Sequence, residues 1–127
     1  MDKMKKLLIV LLVLTTATLA QSEILPLQAT WTHNTETDMD HYDLYRTDVS
    51  PRVKINPAPI PWKNGAIFIE SYDFDLTIPN GSQGTLTFIM KAVDTASNPS
   101  LDSNTASYGF DYQAPGAVPG FGVKKRP

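Results

Sequence analysis

Residues 86–108 read LTFIMKAVDTASNPSLDSNTASY. In the first half, Leu86, Phe88, Met90 and Ala92 alternate with Thr87, Ile89, Lys91 and Val93. Successive side chains of an extended chain point to opposite faces, so a period of two describes a strand. At the other end Ala106 and Tyr108, continued by Phe110, alternate with Thr105, Ser107 and Gly109. Between the two runs lies a polar break, Thr95 to Ser103, with Asn98-Pro99 inside it. Asn, Asp and Ser bond to nearby backbone and so favour turns. The break is either the plain connection of two strands or a loop that meets a partner through Asn98 and Asp102.

The same period recurs outward from this pair. Tyr72, Phe74, Leu76 and Ile78 alternate with Asp73, Asp75 and Thr77, and the PNGSQG turn at 79–84 follows. Leu27, Ala29 and Trp31 alternate with Gln28, Thr30 and Thr32. A polar loop, HNTETDMD at 33–40, leads to a further run from Tyr42 through Leu44 to Thr47. Val53 and Ile55 suggest a short edge strand. Pro57, Pro59 and Pro61 lack the N–H that a ladder needs and predict an extended segment. Ile67 to Ile69 is a short apolar run. After residue 20 no window carries the 3.6-residue period of a helix. The expected fold is all-β, an antiparallel sandwich of six to seven strands. Its core is expected to include Leu27, Ala29, Trp31, Tyr42, Leu44, Phe74, Leu76, Ile78, Phe88, Met90, Ala92, Ala106 and Tyr108.

The chain has 127 residues, enough for one such core. Residues 1–20 stand apart. Lys3, Lys5 and Lys6 precede the apolar run Leu7 to Leu14, and Thr18-Leu19-Ala20 offers small residues for cleavage. This is the pattern of a secretory signal peptide cut after Ala20. The apolar run is shorter than the roughly 20 residues a membrane span needs, so no stable membrane anchor is expected. With no cysteine in the chain, disulfides, thiol chemistry and a lipid-bearing cysteine are all excluded. Beyond residue 20, eight basic side chains face twelve acidic ones, and residues 24–113 carry five against eleven. Phosphate contacts need a basic face, so nucleic acid is excluded as the expected partner. The basic cluster Lys124-Lys125-Arg126 closes a Pro- and Gly-rich tail, residues 114–127.

Two stretches together, LQATWTHNTETDMDHYDLYRT at 27–47 and LTFIMKAVDTASNPSLDSNTASY at 86–108, resemble a fibronectin type III domain of the bacterial extracellular type. Trp31 corresponds to the tryptophan of its strand B, and Tyr42-Asp43-Leu44-Tyr45 to the opening of strand C. Phe88, Met90 and Ala92-Val93-Asp94 correspond to strand F, and Ser103-Asn104 to the residues before strand G. The resemblance covers about residues 25–112. It implies an immunoglobulin-like sandwich over 21–113 with a partner-binding role. It departs from the family in two places. Leu86 stands where the family carries the tyrosine of the E–F corner, which leaves that corner to apolar packing and the PNGSQG turn. Ser22 to Pro26 is very short for a strand A, while Pro115 to Val123 looks like the opening of one. A missing strand A exposes a sheet edge, which is a pairing site.

Chemistry-bearing groups are sparse. Glu36, Asp38, Asp40 and Asp43 could offer oxygens to a hard cation, but lack the glycine turn and closing glutamate of a calcium loop. His33 and His41 flank this loop and could meet at its base with Asp38 around zinc. Neither set is complete, so no metal, no cofactor and no catalytic residue is assigned. No serine has a hydrolase elbow around it. Trp62, between prolines, is a candidate platform for a sugar or a proline-rich ligand. Asn80-Gly81-Ser82 fits a glycosylation sequon. The expectation is a non-catalytic secreted or periplasmic interaction module with a protein or carbohydrate partner. The alternative is an assembly subunit that self-associates when its tail pairs with a neighbour's open edge.

Overall fold

The computed structural model describes residues 21–127, and the signal-peptide expectation lies outside them. The described residues form nine strands: β1 Ser22–Thr30, β2 Met39–Arg46, β3 Val53–Lys54, β4 Ile60–Pro61, β5 Lys63–Asn64, β6 Ile67–Phe68, β7 Ser71–Pro79, β8 Gln83–Asp94 and β9 Ala106–Asp111. All the pairings are antiparallel. Among the described residues β1 pairs only with β7, in a two-stranded sheet. The larger sheet has the order β3-β2-β8-β9, with β4 also paired to β2. β5 and β6 form a separate small hairpin whose turn holds Gly65 at φ 63°. The left-handed region costs glycine least, which fits it to that turn.

The inner faces of the two sheets meet across one apolar core, an arrangement consistent with a β-sandwich. Leu25 of β1 and Ile78 of β7 pack with Tyr42 and Leu44 of β2 and with Leu86 and Phe88 of β8. Phe74 and Phe88 meet edge to face across the gap, ring centroids 5.5 Å apart. Trp31 tilts onto Tyr42 at 5.2 Å. Leu44, Ile78 and Leu86 are essentially withdrawn from water. Burying each such side chain stabilises the fold by about 1.5–3 kcal/mol.

Tyr42, Leu44, Ile78 and Phe88 are fully buried, as the alternation predicts. Leu27, Ala29, Trp31, Phe74, Leu76, Met90 and Ala92 are partly buried and pack against them. Ala106 and Tyr108 are exposed instead, Tyr108 at 46 %. β9 pairs at the rim of the larger sheet and has no strand of the other sheet over it. Leu25, Met39 and Ile60 join the buried set from outside the alternating runs. Met39, expected in the loop, opens β2. The register with β8 slips between Met39 and His41. The extra residue resets which side chains face inward, so Met39 and Tyr42 share the core despite their odd spacing.

Two further expectations change. Ser22 to Pro26 is no separate strand but the first half of β1, which continues without a break to Thr30. The proline segment contains β4, because Tyr42 pairs with Ile60 and His41 with Pro61. Trp62 donates its N–H to the Asp40 carbonyl at 3.3 Å, which puts Pro61 at a position whose nitrogen faces away from β2, so its missing N–H costs the ladder nothing. The corner between β7 and β8 is closed by Leu86, 1 % exposed, and by a turn in which Ser82 donates to the Pro79 carbonyl. Residues 112–127 form no strand, and Val118, Phe121 and Val123 lie open to solvent.

Candidate functional site

Between β1 and the β9 rim lies a groove of about 640 Å³. Leu27, Ala29 and Trp31 line one wall, and Met90, Ala106 and Tyr108 contribute to the other. Phe74 and Phe88 also line it. No residue beyond Tyr108 lines it, so the chain's own tail leaves it empty.

One rim is the edge of β1, unpaired among the described residues, and the other is the irregular segment 100–104 followed by the outer edge of β9. Trp31 donates its N–H to the Glu70 carbonyl, and Asn80 donates to the Gln21 carbonyl. Antiparallel neighbours exchange bonds at every second residue. With the register Leu25↔Leu76 and Leu27↔Phe74, the odd-numbered residues of β1 therefore bond to β7. Ser22, Ile24, Pro26, Gln28 and Thr30 turn their backbone groups the other way, where no strand lies among the described residues. Pro26, with no N–H to satisfy, fits that outward position. On the opposite rim Tyr112 donates to the Ser82 carbonyl, so the even positions of β9 face β8. Ser107, Gly109 and Asp111 face away. The indole N–H of Trp31, in the groove wall, has no hydrogen-bond partner among the described residues.

The polar break at 95–103 has a structural task. Ser100 donates its N–H to the Ala92 carbonyl at 2.7 Å and Ser103 donates to the Met90 carbonyl at 2.9 Å. The hydroxyls of the same serines accept the N–H groups of Ala92 and Met90, at 2.9 and 2.8 Å. The segment thus continues the edge of β8 without being a regular strand. Asn98 is folded into a turn on Asp94, whose carboxylate accepts from the backbone of Ala96 and Asn98 and from the Asn98 side chain. The Asn98 backbone N–H, before the other donors, lowers the Asp94 pKa. Asp102 is clamped by Arg52 at 3.1 and 3.2 Å and by Lys91 at 3.0 Å. The Arg52 bond is the main reason its carboxyl stays below the usual range, with Lys91 next. These contacts account for the polarity of both loop candidates.

Trp62 is not a free platform. Its indole donates to the Asn34 carbonyl at 2.9 Å, its ring packs on Phe68, and it adjoins the core. The Lys63 ammonium lies 4.4 Å from its ring centroid. Phe68 in turn stacks on His33 at 3.7 Å. His33 and His41 do not meet. His33 faces Glu70 at 3.5 Å, while His41 lies between Asp40 at 2.7 Å and Asp43 at 3.5 Å. Among the described residues no group of three or more His, Asp or Glu is placed to hold a metal ion.

Sequence reasoning passed over Asn56. It is 2 % exposed and sits against β2. Its Oδ1 accepts the Leu44 N–H at 2.7 Å, and its Nδ2 donates to Asp43 Oδ1 and to the Ala58 carbonyl, both at 3.0 Å. Burial alone would raise the Asp43 pKa, but the Asn56 bond, with Lys54 and His41 nearby, brings it below its usual value. An Asn followed by Pro in a proline-rich stretch has the local signature of a turn, which hides this role. Comparison of the chain with protein-family models, with curated proteins and with solved structures finds no match.

Proposed function

We propose that residues 21–113 are a fibronectin type III-like, non-catalytic interaction module of an exported protein, which binds a polypeptide partner as an extended strand along β1. The observation that carries this is the apolar groove bounded by the edge of β1, unpaired among the described residues. An added strand satisfies main-chain groups along the edge and buries alternate side chains below it. The strand order supports the domain class. β1 and β7 correspond to strands B and E, and β3, β2, β8 and β9 to C′, C, F and G, with no counterpart of strand A among the described residues. The acidic body and the signal-like first twenty residues support an exported protein that does not bind nucleic acid.

A test is amide hydrogen exchange on residues 21–127 with a soluble probe peptide of about seven alternating Thr and Val residues, a length matched to the groove wall. Binding at the groove is expected to slow exchange at Ile24, Gln28 and Thr30, whose N–H groups face outward, and to shift Trp31 fluorescence. Protection confined to other faces, or none at all, overturns the reading. So does a hydrolase activity that disappears when a single carboxylate is replaced.

A further inference from the structure

We propose that the strand filling the groove is the tail of a second copy of this chain. The inference rests on the strand-accepting reading of the groove and adds the identity of the donor. It takes up the assembly role that the sequence offers as an alternative.

Residues 117–123 have the alternation such a strand needs. Ala117, Pro119, Phe121 and Val123 form one face, and Val118, Gly120 and Gly122 the other. The first face is the one that can fill an apolar groove, because the second offers only Val118 beside two glycines. Phe121 and Val123 are 82 % and 88 % exposed in the isolated chain, which gives them apolar surface to bury. Gly120, at φ 64° in the free tail, can open into an extended conformation without side-chain strain.

Proline decides the direction. In an antiparallel pairing with β1, residues whose side chains point outward exchange the backbone bonds with its outward set. Laying Ala117 to Phe121 over the groove wall from Trp31 to Leu27 sets Val118 opposite Thr30, Gly120 opposite Gln28 and Gly122 opposite Pro26. Pro119 turns its nitrogen away from β1, where no N–H is required. In a parallel pairing the inward residues would make those bonds instead, and Pro119 would remove one.

The antiparallel direction excludes the chain's own tail. Tyr112 bonds to Ser82, beside the turn where Asn80 bonds to Gln21, so the tail starts at the Ser22 end of β1. Ala117 must sit at the Thr30 end, nine strand residues away, or about 30 Å. The five residues from Tyr112 to Ala117 reach at most about 18 Å. A second copy has no such limit. The pairing also brings Lys124, Lys125 and Arg126 to the end of the sheets that carries Glu23 and Asp111. There an excess of positive charge meets a body with eleven acidic and five basic side chains over residues 24–113. Because the donor and acceptor surfaces differ, the contact is heterologous and repeats from copy to copy.

The test uses residues 21–127, which contain all the described strands, with light scattering after size exclusion. The unmodified chain is expected to gain mass as its concentration rises. Phe121→Asp destroys the donor, and Gln28→Pro removes an edge N–H that the monomer fold does not use. Each variant alone is expected to elute as a single copy. An equimolar mixture is expected to show twice that mass, since one retains the groove and the other retains the tail. Three results overturn the proposal: an unmodified chain that stays at one copy, a Phe121→Asp variant that still assembles, or a mixture that does not pair. If the Thr-Val probe peptide still protects Gln28 and Thr30 in such a case, the groove accepts a strand and only the donor is wrong. If it does not, both readings fall.

Discussion

Asn56→Ala is the perturbation whose magnitude follows most directly from the structure. The substitution removes one acceptor and one doubly used donor beside β2. Leu44 is 2 % exposed, so its N–H loses its partner with no route to water. An orphaned buried donor costs about 1–3 kcal/mol. The Ala58 carbonyl and the Asp43 carboxylate each lose a bond worth about 1 kcal/mol net, and Asp43 keeps Lys54 at 3.4 Å and His41. Summed at the low end, the loss is about 3 kcal/mol, which is a roughly 150-fold loss in the folding equilibrium. For a domain of this size the melting temperature should fall by about 12–24 °C. Urea titration followed by tryptophan fluorescence measures it as a shift in midpoint at constant slope.

The pH dependence gives the same prediction a second readout. The Asp43 pKa is depressed below its usual 3.8 in the folded state. Its stabilisation is therefore fully present above the unfolded value and is lost as pH falls through the lowered folded value. Asn56→Ala removes the strongest cause of that lowering, so the variant should lose less additional stability on acidification than the parent. A destabilisation below about 1 kcal/mol, or an unchanged acid limb, would refute the account of Asn56 as the group that satisfies β2.

Two other substitutions probe separate parts of the framework. Leu86→Ala, 1 % exposed beside the turn between β7 and β8, should destabilise by about 2–5 kcal/mol, read from the same urea midpoint. A smaller loss would mean the corner does not rely on apolar packing. Ser103→Ala should cost about 0.5–1.5 kcal/mol and speed amide exchange at Met90, because the Met90 N–H loses its hydroxyl acceptor. Unchanged exchange there would show that the segment is not held through its serines.

The strands that sit over a complete partner face were legible as sequence. The run from Tyr72 to Ile78 alternates cleanly because every second side chain meets the larger sheet and the others meet water. Leu25 was hidden by Pro26, which suggests a break, yet on an outward-facing edge position proline interrupts nothing. Met39 was hidden by the register slip at Asp40, since parity counted through a bulge gives the wrong face. Ile60 sits among prolines, and only its pairing with Tyr42 reveals that it is buried. Asn98 and Asp102 were singled out for their polarity, but their partners Asp94 and Arg52 become visible only when chain segments are brought together. The groove was not legible in any single stretch, because its walls depend on how the two sheets face each other.

A sheet of two strands has two margins, and here they are unequal. Each edge carries one proline, Pro79 on β7 and Pro26 on β1, but the outward-facing positions of β7 also include the exposed carboxylates Asp73 and Asp75, whereas β1 offers Ile24, Gln28 and Thr30. Charged side chains on an edge oppose further pairing. Growth of the smaller sheet is thereby confined to one side, and a row of such molecules would have a head, a tail and a single direction of extension.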